Sequence, residues 1–308
     1  MSAAGAGLRG QVILVTGAGA GIGAAGAREF ARRGAFPVLM DVDAGLARAA
    51  AKAIGPQAMA VVGDVCEMAD CEATVAAALE RHGRLDAAWA NAGIASFGPL
   101  SHTDPQAWRR CIDVNVIGVF NTLRAALPPV RAQRGYLLAS ASAASFAHPP
   151  MMSAYAASKA AVEAMCNAWR IELAAHGVGV GVMHASWVRT PLVEEGEMHP
   201  GFQRLRDAAP PMLRAQMSAE EAGRRIADAL EVRADRVWVP GWVRLLHWLR
   251  PLLHLRGAER ELRRAAPELE RIYLEGLQSH GALASSFGPR EHERALARAR
   301  EGTEDDRS

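Results

Sequence analysis

Short apolar runs alternate with longer alanine-rich stretches over residues 8–242, and this alternation constrains the fold more than any other feature of the sequence. Parallel strands need long crossover connections, which are usually helices, so the pattern predicts repeated strand–helix–strand units. We expect a doubly wound α/β domain: a parallel sheet of about seven strands with helices on both faces. The predicted strands are Val12 to Thr16, Val38 to Met40, Ala58 to Val62, Leu85 to Ala90, Tyr136 to Ser140, Val178 to Met183 and Val237 to Val239.

The stretches between these strands have helical periodicity, and a capping box of Ser218 and Glu221 marks the start of the last one. Residues 191–217 combine prolines, methionines and leucines without a sustained period, which is typical of a lid over a site. Residues 243–308 predict a helical C-terminal extension with a mostly disordered tail from residue 288. The predicted helices are Ile22 to Arg33, Ala44 to Ile54, Asp70 to Arg81, Pro105 to Leu127, Ser153 to His176 and Ala219 to Glu231 in the domain, and residues 257–276 in the extension.

The segment from Trp242 to Arg256 spaces its apolar residues as a helix does, and Pro251 predicts a kink or an end there. Docking on the same domain, an oligomer contact and binding in a membrane interface are three alternatives for this helix. An apolar stripe along one side of a helix usually packs in the protein core, which favours docking on the same domain. The arginines and tryptophans of the segment instead suit a membrane interface. The apolar positions are Trp242, Leu245, Leu246, Leu249, Leu252 and Leu253.

Charge and cysteine content exclude several classes of function. The 35 basic and 33 acidic residues leave a net charge of +2, which is too balanced for a protein that mainly binds nucleic acid. The four cysteines are widely spaced without a C-x-x-C motif, so we expect buried free thiols and no disulfide framework, zinc site or other metal site. The apolar run near the N-terminus is too short for a signal peptide, so we expect a cytoplasmic protein.

A glycine-rich turn follows the first predicted strand and leads into a helix. Gly17, Gly21 and Gly23 allow the backbone to approach a ligand closely, and the helix that begins near Ile22 directs free N–H groups toward an anion such as pyrophosphate. The turn therefore predicts a dinucleotide-binding site. The alternative is a glycine-rich turn that only links a strand to a helix.

Asp41 ends the second predicted strand, twenty residues after Gly21. A carboxylate at this place accepts hydrogen bonds from the adenosine ribose and repels a 2′-phosphate, so its position favours NAD over NADP. Neither Ala20 nor Val42 offers a cation for that phosphate. The alternative is an acidic residue in a solvated loop.

Tyr155 and Lys159 are separated by one helical turn, so both side chains emerge on one face of the helix. A phenol is a poor base at neutral pH, and a nearby cation lowers its pKa toward the working range. Lysine occurs at only two positions, Lys52 and Lys159, which makes a chance pairing rare. Ser142 lies thirteen residues before Tyr155, at the carboxyl edge of the predicted sheet where ligands bind.

Together these motifs resemble the short-chain dehydrogenase/reductase family, NAD(P)-dependent oxidoreductases built on a Rossmann-type domain. The resemblance covers residues 8–242. It implies that Ser142, Tyr155 and Lys159 are catalytic and that Asn115 supports a proton-relay water. It also implies that the cofactor contacts Tyr155, Lys159 and a further set of residues: Gly17, Gly21, Ile22, Gly23, Asp41, Asp64, Val65, Asn91, Ala92, Gly93, Val188 and Thr190.

One motif departs from the family. The family usually has a Pro-Gly pair after the sixth strand, and here Ala185 and Ser186 replace it, while Thr190 is present. We expect cofactor binding to survive this change. Ser186, with Trp187 beside it, could narrow or reshape the substrate pocket near the nicotinamide.

The implied reaction is reversible hydride transfer between a hydrophobic secondary alcohol or its ketone, of up to steroid size, and the nicotinamide of NAD. Phe202, Met212, Leu213 and Met217 are predicted near the mouth of the site. The family also implies a homodimer or homotetramer. The alternatives are a non-catalytic dinucleotide-binding sensor or scaffold and a peripheral membrane interaction protein that uses the C-terminal helix. His184 is predicted as a hydrogen-bonded core residue.

Overall fold

The computed structural model describes residues 7–197, 200–208, 214–280 and 286–287. It confirms the α/β fold: a seven-stranded parallel sheet whose strands lie in the order β3-β2-β1-β4-β5-β6-β7. The chain order reverses between β1 and β4, and in sheets of this kind a crevice opens at such a point beyond the carboxyl ends of the strands. The strands are β1 (Val12–Thr16), β2 (Phe36–Asp41), β3 (Met59–Val62), β4 (Ala87–Ala90), β5 (Tyr136–Ser142), β6 (Gly179–Ala185) and β7 (Arg236–Val239).

Helices cover both faces of the sheet. One prediction was wrong in detail: the helix expected from Pro105 to Leu127 is interrupted by a π-helical turn at Asp113–Ile117, and its second part continues to Ala132. The helices of the domain are α1 (Gly21–Arg32), α2 (Ala44–Ile54), α3 (Met68–His82), α4 (Pro105–Ile112), α5 (Gly118–Ala132), α6 (Ser153–Ala174), α7 (Pro191–Glu197), α8 (Pro200–Asp207) and α9 (Ala219–Val232).

The apolar runs form strands because both faces of the sheet are buried. Every residue of β1, β4 and β5 is buried, and alternate side chains of each strand enter one of two apolar clusters. Trp89 lies in the cluster under α1, while Leu14 and Leu137 lie in the cluster on the opposite face. The predicted cap of α9 is confirmed, since the Glu221 N–H donates to the Ser218 hydroxyl at 3.1 Å.

Helix α8, which lies in the segment predicted to be a lid, and the extension meet on one side of the domain. Phe202 of α8 makes an edge contact with Phe97, which also lies beside Tyr273. Residues 286–287 pair antiparallel with residues 95–96. Met212, Leu213 and the tail from residue 288 lie outside the described residues. The helices of the extension are α10 (Val243–Trp248), α11 (Arg250–Leu253) and α12 (Arg260–His280).

The leucine stripe at the start of the extension does not pack as core, contrary to the prediction. The segment docks through another edge: Val243 is fully buried, and His247 and Arg250 lie 3.5 and 3.3 Å from the Glu163 carboxylate. Leu245, Leu249 and Leu252 are exposed. Among the helices that the structure describes, none is both long and apolar enough to cross a membrane.

Glu163 and His184 form a buried polar cluster beneath this segment. His184 is fully buried and stacks on Trp238 at a ring-centroid distance of 4.9 Å. Burial lowers the pKa of His184 to about 4. Burial alone would raise the pKa of Glu163, but His184, the Ser145 hydroxyl and Arg250 hold it below its usual range. The prediction of a core His184 is confirmed.

Both pKa shifts make the fold less stable in acid. Above pH 6.5 His184 is neutral in both the folded and the unfolded protein. Below pH 6.5 His184 becomes protonated in the unfolded protein, but in the folded protein it stays neutral until about pH 4, so the unfolded state is favoured. Glu163 adds to the loss below its ordinary pKa. We therefore expect the free energy of unfolding to fall between pH 6.5 and 4, measured by urea denaturation. His184→Phe should flatten that slope, whereas His176→Asn, at an exposed site, should leave it unchanged; equal slopes in all three proteins would contradict the assignment.

Candidate active site

The glycine turn is shaped by contacts that leave no room for a side chain. Gly17 has a φ of +61°, and a Cβ there would lie 2.7 Å from the Ala92 Cα. A Cβ at Gly23 would lie 2.2 Å from the Gly17 carbonyl oxygen. Helix α1 begins at Gly21, and Ala20 before it provides no side-chain cap. The free N–H groups at this helix start therefore belong to a turn that an anion can approach.

Two carboxylates line the cleft beside this turn. Asp41 is buried at the end of β2, and its Oδ2 accepts a hydrogen bond from the Gly19 N–H at 2.8 Å. Asp64 follows β3 and lies 3.0 Å from the Arg110 guanidinium. Burial would raise the pKa of Asp64, but the Cys66 backbone N–H and Arg110 lower it below its usual range. Both groups therefore offer oxygen acceptors to a ligand in the cleft.

Asn115 ties the loop after β4 to helix α6. This fully buried side chain accepts from the Ile94 N–H and donates to the Ile94 carbonyl, each at 2.9 Å. It also donates to the Ser158 hydroxyl at 2.9 Å. A Cβ at Gly93 would lie 3.2 Å from Asn115 Oδ1 and 3.3 Å from Lys159 Nζ. Asn115 therefore positions the loop against α6.

Tyr155 and Lys159 project from one face of α6 into the same cleft. Lys159 is buried, its Nζ donates to the Ser140 carbonyl at 2.9 Å, and the same atom lies 5.6 Å from the centroid of the Tyr155 ring. Ser142 ends β5, and its hydroxyl lies near the Tyr155 phenol. The Ser142 hydroxyl donates to the Ala185 carbonyl at 3.1 Å. Phenol, hydroxyl and ammonium therefore meet at the carboxyl edge of the sheet.

The pKa of Tyr155 is raised in the structure, so the prediction that it is lowered is wrong. Burial raises the pKa of Tyr155 to about 12, and the nearby Ser142 hydroxyl opposes the rise. The ammonium lies over the ring and donates to Ser140, so it does not offset the desolvation of a phenolate. Burial also lowers the pKa of Lys159 to about 8. Tyr155 is therefore a protonated phenol at neutral pH, ready to donate.

Most of the predicted site residues line one continuous cleft, and four do not. Gly23 lies behind the turn, Asn115 and Val188 are buried, and Ser142 reaches the site through Tyr155. Thr190 faces the turn from the other side, since a Cβ at Gly21 would lie 3.3 Å from its side chain. The predicted residues that line the cleft are Gly17, Gly21, Ile22, Asp41, Asp64, Val65, Asn91, Ala92, Gly93, Tyr155, Lys159 and Thr190.

Comparison with known proteins identifies the family of this chain. The family model described as short chain dehydrogenase matches residues 11–200. The chain belongs to the short-chain dehydrogenase family. It is 35% identical over 205 residues to a (-)-trans-carveol dehydrogenase of Rhodococcus erythropolis, an alignment that covers 61% of this chain and 74% of that protein.

Two further relatives extend the comparison. An uncharacterized NAD-dependent oxidoreductase of Mycobacterium tuberculosis is 34% identical over 226 residues, which cover 66% of this chain and 82% of that protein. The crystal structure of a 3-ketoacyl-(acyl-carrier-protein) reductase from Brucella melitensis, complexed with NADH, superposes with a TM-score of 0.69 at 30% identity and covers 75% of this chain and 97% of that chain. The protein is thus an oxidoreductase of the short-chain dehydrogenase family.

The residues of this short-chain dehydrogenase fit a nicotinamide dinucleotide. The turn at Gly17 and Gly23 excludes side chains, as close approach of a pyrophosphate requires, and α1 begins there without a cap. Asp41 lies where the carboxylate can accept from ribose hydroxyls. Tyr155 and Lys159 stand at the other end of the same cleft. A cofactor bound along it would reach from Asp64 to Tyr155.

Arg110 is a site residue that sequence reasoning missed. It lines the cleft, pairs with Asp64, and donates to the Cys66 thiol at 3.0 Å. Arg110 and Asp64 are 46 positions apart in the sequence, so no local sequence pattern predicts that they pair. Ser140, which accepts from Lys159, was missed for the same reason, because its role depends on how β5 packs against α6.

The wall beside Tyr155 is apolar and is built partly by the extension. Phe202 of α8 meets Trp187 edge to face at 5.6 Å, and Leu269 and Tyr273 of α12 are fully buried in the same cluster. Tyr155 packs against this cluster. Helix α12 therefore packs into the same apolar cluster as Tyr155.

Proposed function

We propose that this short-chain dehydrogenase transfers hydride between NAD and a hydrophobic secondary alcohol or its ketone. The observation that carries the proposal is the shared cleft: the glycine turn and Asp41 line one end of it, and Tyr155 and Lys159 line the other. The nicotinamide supplies the hydride acceptor or donor when it is bound. Tyr155 is the general acid or base at the substrate oxygen.

Each catalytic side chain has a distinct task. In ketone reduction the Tyr155 hydroxyl gives its proton to the carbonyl oxygen as the carbon accepts hydride, and in oxidation the phenolate takes the hydroxyl proton back. Ser142, whose hydroxyl donates to the Ala185 carbonyl in this structure, turns toward the cleft to hydrogen-bond the same substrate oxygen and hold it in line. Lys159, whose buried ammonium lines the cleft beside the phenol, orients the cofactor ribose. Asn115 positions the loop, and its support of a relay water stays a prediction.

The preference for NAD is supported by the charge at Asp41. Its carboxylate already accepts the Gly19 N–H and the Asp43 N–H, at 2.8 and 3.0 Å, so it is held at the turn. A 2′-phosphate beside this fixed anion would be repelled. A hydrophobic substrate is supported by the apolar side chains of Trp187, Phe202 and Tyr273, which pack in the same cluster as Tyr155.

The test is a panel of secondary alcohols and ketones, with carveol and a sterol among them, assayed with NAD and NADP in parallel by nicotinamide absorbance. We expect turnover of apolar members with kcat/KM at least tenfold higher for NAD than for NADP, because one repulsive charge contact is worth more than about 1.4 kcal/mol in a buried site. Activity with small polar alcohols alone, or equal use of both cofactors, would contradict the substrate class or the role of Asp41.

A further inference from the structure

Five large apolar side chains are exposed along α10, α11 and the two residues that follow. Trp248 and Leu249 are adjacent, and the other neighbouring members are three residues apart. Backbone hydrogen bonds link Leu249 to Leu245 and Leu252 to Leu249, so the five side chains share one side of a nearly continuous helical segment. We call this surface the leucine face. Its members and their exposed fractions are Leu245 at 60%, Trp248 at 72%, Leu249 at 42%, Leu252 at 52% and Leu255 at 55%.

The opposite side of the segment packs against the domain, and these contacts keep the leucine face turned toward solvent. Val243 is fully buried, His247 and Arg250 lie against Glu163, and the His254 ring contacts the Phe146 carbonyl at 3.2 Å. The segment therefore has a defined orientation that leaves its apolar side in solvent. Contiguous apolar patches on a soluble protein usually mark an interaction surface.

The positive charge around the leucine face favours an anionic partner. Residues 236–258 contain no aspartate or glutamate. Arg244 and Arg256 are exposed beside the leucines. A second copy docked by twofold symmetry would bring two basic surfaces together with no carboxylate from residues 236–258 to pair with the arginines, whereas lipid phosphates would complement them. Tryptophan is also favoured at the headgroup level of a bilayer.

We propose that the leucine face binds the surface of an anionic lipid bilayer. Leu245, Trp248 and Leu252 enter the boundary between headgroups and acyl chains, while Arg244 and Arg256 contact lipid phosphates. The contact lies in the plane of the membrane and needs no spanning helix. This inference goes beyond the proposed reaction and does not rest on it, because binding is measured without cofactor or substrate.

The test is co-sedimentation of the full-length protein with vesicles of phosphatidylcholine alone or mixed equally with phosphatidylglycerol. We expect binding to the anionic vesicles and at least tenfold weaker binding by the triple variant Leu245→Ser, Trp248→Ser, Leu252→Ser. Reversing two charges, in Arg244→Glu with Arg256→Glu, should also weaken binding by more than about tenfold. The control Ile171→Ser removes a side chain that is 80% exposed on α6 and should bind like the wild type.

Three results would overturn the proposal. The wild type could fail to sediment with anionic vesicles, or the triple variant could sediment as well as the wild type. The triple variant could also form a smaller species than the wild type in analytical ultracentrifugation, which would assign the leucine face to a second copy. Circular dichroism shows whether each variant is folded, and the two charge reversals, at exposed positions, keep the test decisive if the triple variant unfolds.

Discussion

Replacing Tyr155 with phenylalanine is expected to lower kcat by about 10²- to 10⁴-fold while NAD affinity stays close to that of the wild type. The substitution removes one hydroxyl and leaves the ring that packs against the apolar cluster beside α12. The proton that the substrate oxygen exchanges then has no positioned donor. Turnover is measured with an alcohol active in the panel, and NAD binding by protein fluorescence.

Tyr136→Phe is the matched control for this prediction. It removes the same hydroxyl at the start of β5, where the phenol donates to the Ala234 carbonyl at 2.6 Å, away from the cleft. We expect a loss of about 1 kcal/mol in stability and no change in kcat. Full turnover by Tyr155→Phe, or an equal loss in both variants, would remove Tyr155 from the mechanism.

Gly23→Ala is expected to weaken NAD binding by more than about tenfold and to destabilise the fold by about 1 to 3 kcal/mol. The new methyl group would lie 2.2 Å from the Gly17 carbonyl oxygen and 2.6 Å from Asn91 Nδ2. The backbone oxygen cannot rotate away, so the turn itself must move. Binding is measured by titration with NAD, and stability by thermal denaturation.

Gly7→Ala is the control for the change at the turn. A Cβ at Gly7 would have its nearest neighbour, a Glu231 carboxylate oxygen, at 3.9 Å, which is an ordinary contact. Its NAD affinity and stability should match those of the wild type. If Gly23→Ala bound NAD as tightly as Gly7→Ala does, the cofactor would not depend on the geometry of the glycine turn.

Local patterns were enough to predict the sheet and the helix that carries Tyr155 and Lys159. Apolar runs such as Val12–Thr16 become strands because helices bury both of their faces, and the four-residue spacing of Tyr155 and Lys159 fixes them on one side of α6. The π-helical turn at Asp113–Ile117 was not predictable in this way. The turn contains Asn115, whose side chain donates hydrogen bonds to Ile94 and Ser158. Both partners are distant from Asn115 in the sequence, so no local pattern indicates them.

Properties that depend on burial were predicted less well. The sequence places a lysine beside Tyr155, but the sign of the pKa shift is decided by desolvation, which only the packed structure shows. The spacing of Leu245 and Leu252 indicates one face of a helix. The side that packs on the domain is instead the one that carries His247 and Arg250, because both contact Glu163. Helical periodicity identifies an apolar face without saying what covers it.

Hydride transfer at the Tyr155 site is tested most directly by following a deuterium label. A secondary alcohol that is active in the panel is deuterated at its carbinol carbon and incubated with NAD and the full-length protein, and the reduced cofactor is analysed by mass spectrometry. The account predicts that the reduced nicotinamide carries the deuterium and that Tyr155→Phe forms it far more slowly. Reduced cofactor without the label, or labelled cofactor formed equally fast by Tyr155→Phe, would contradict it.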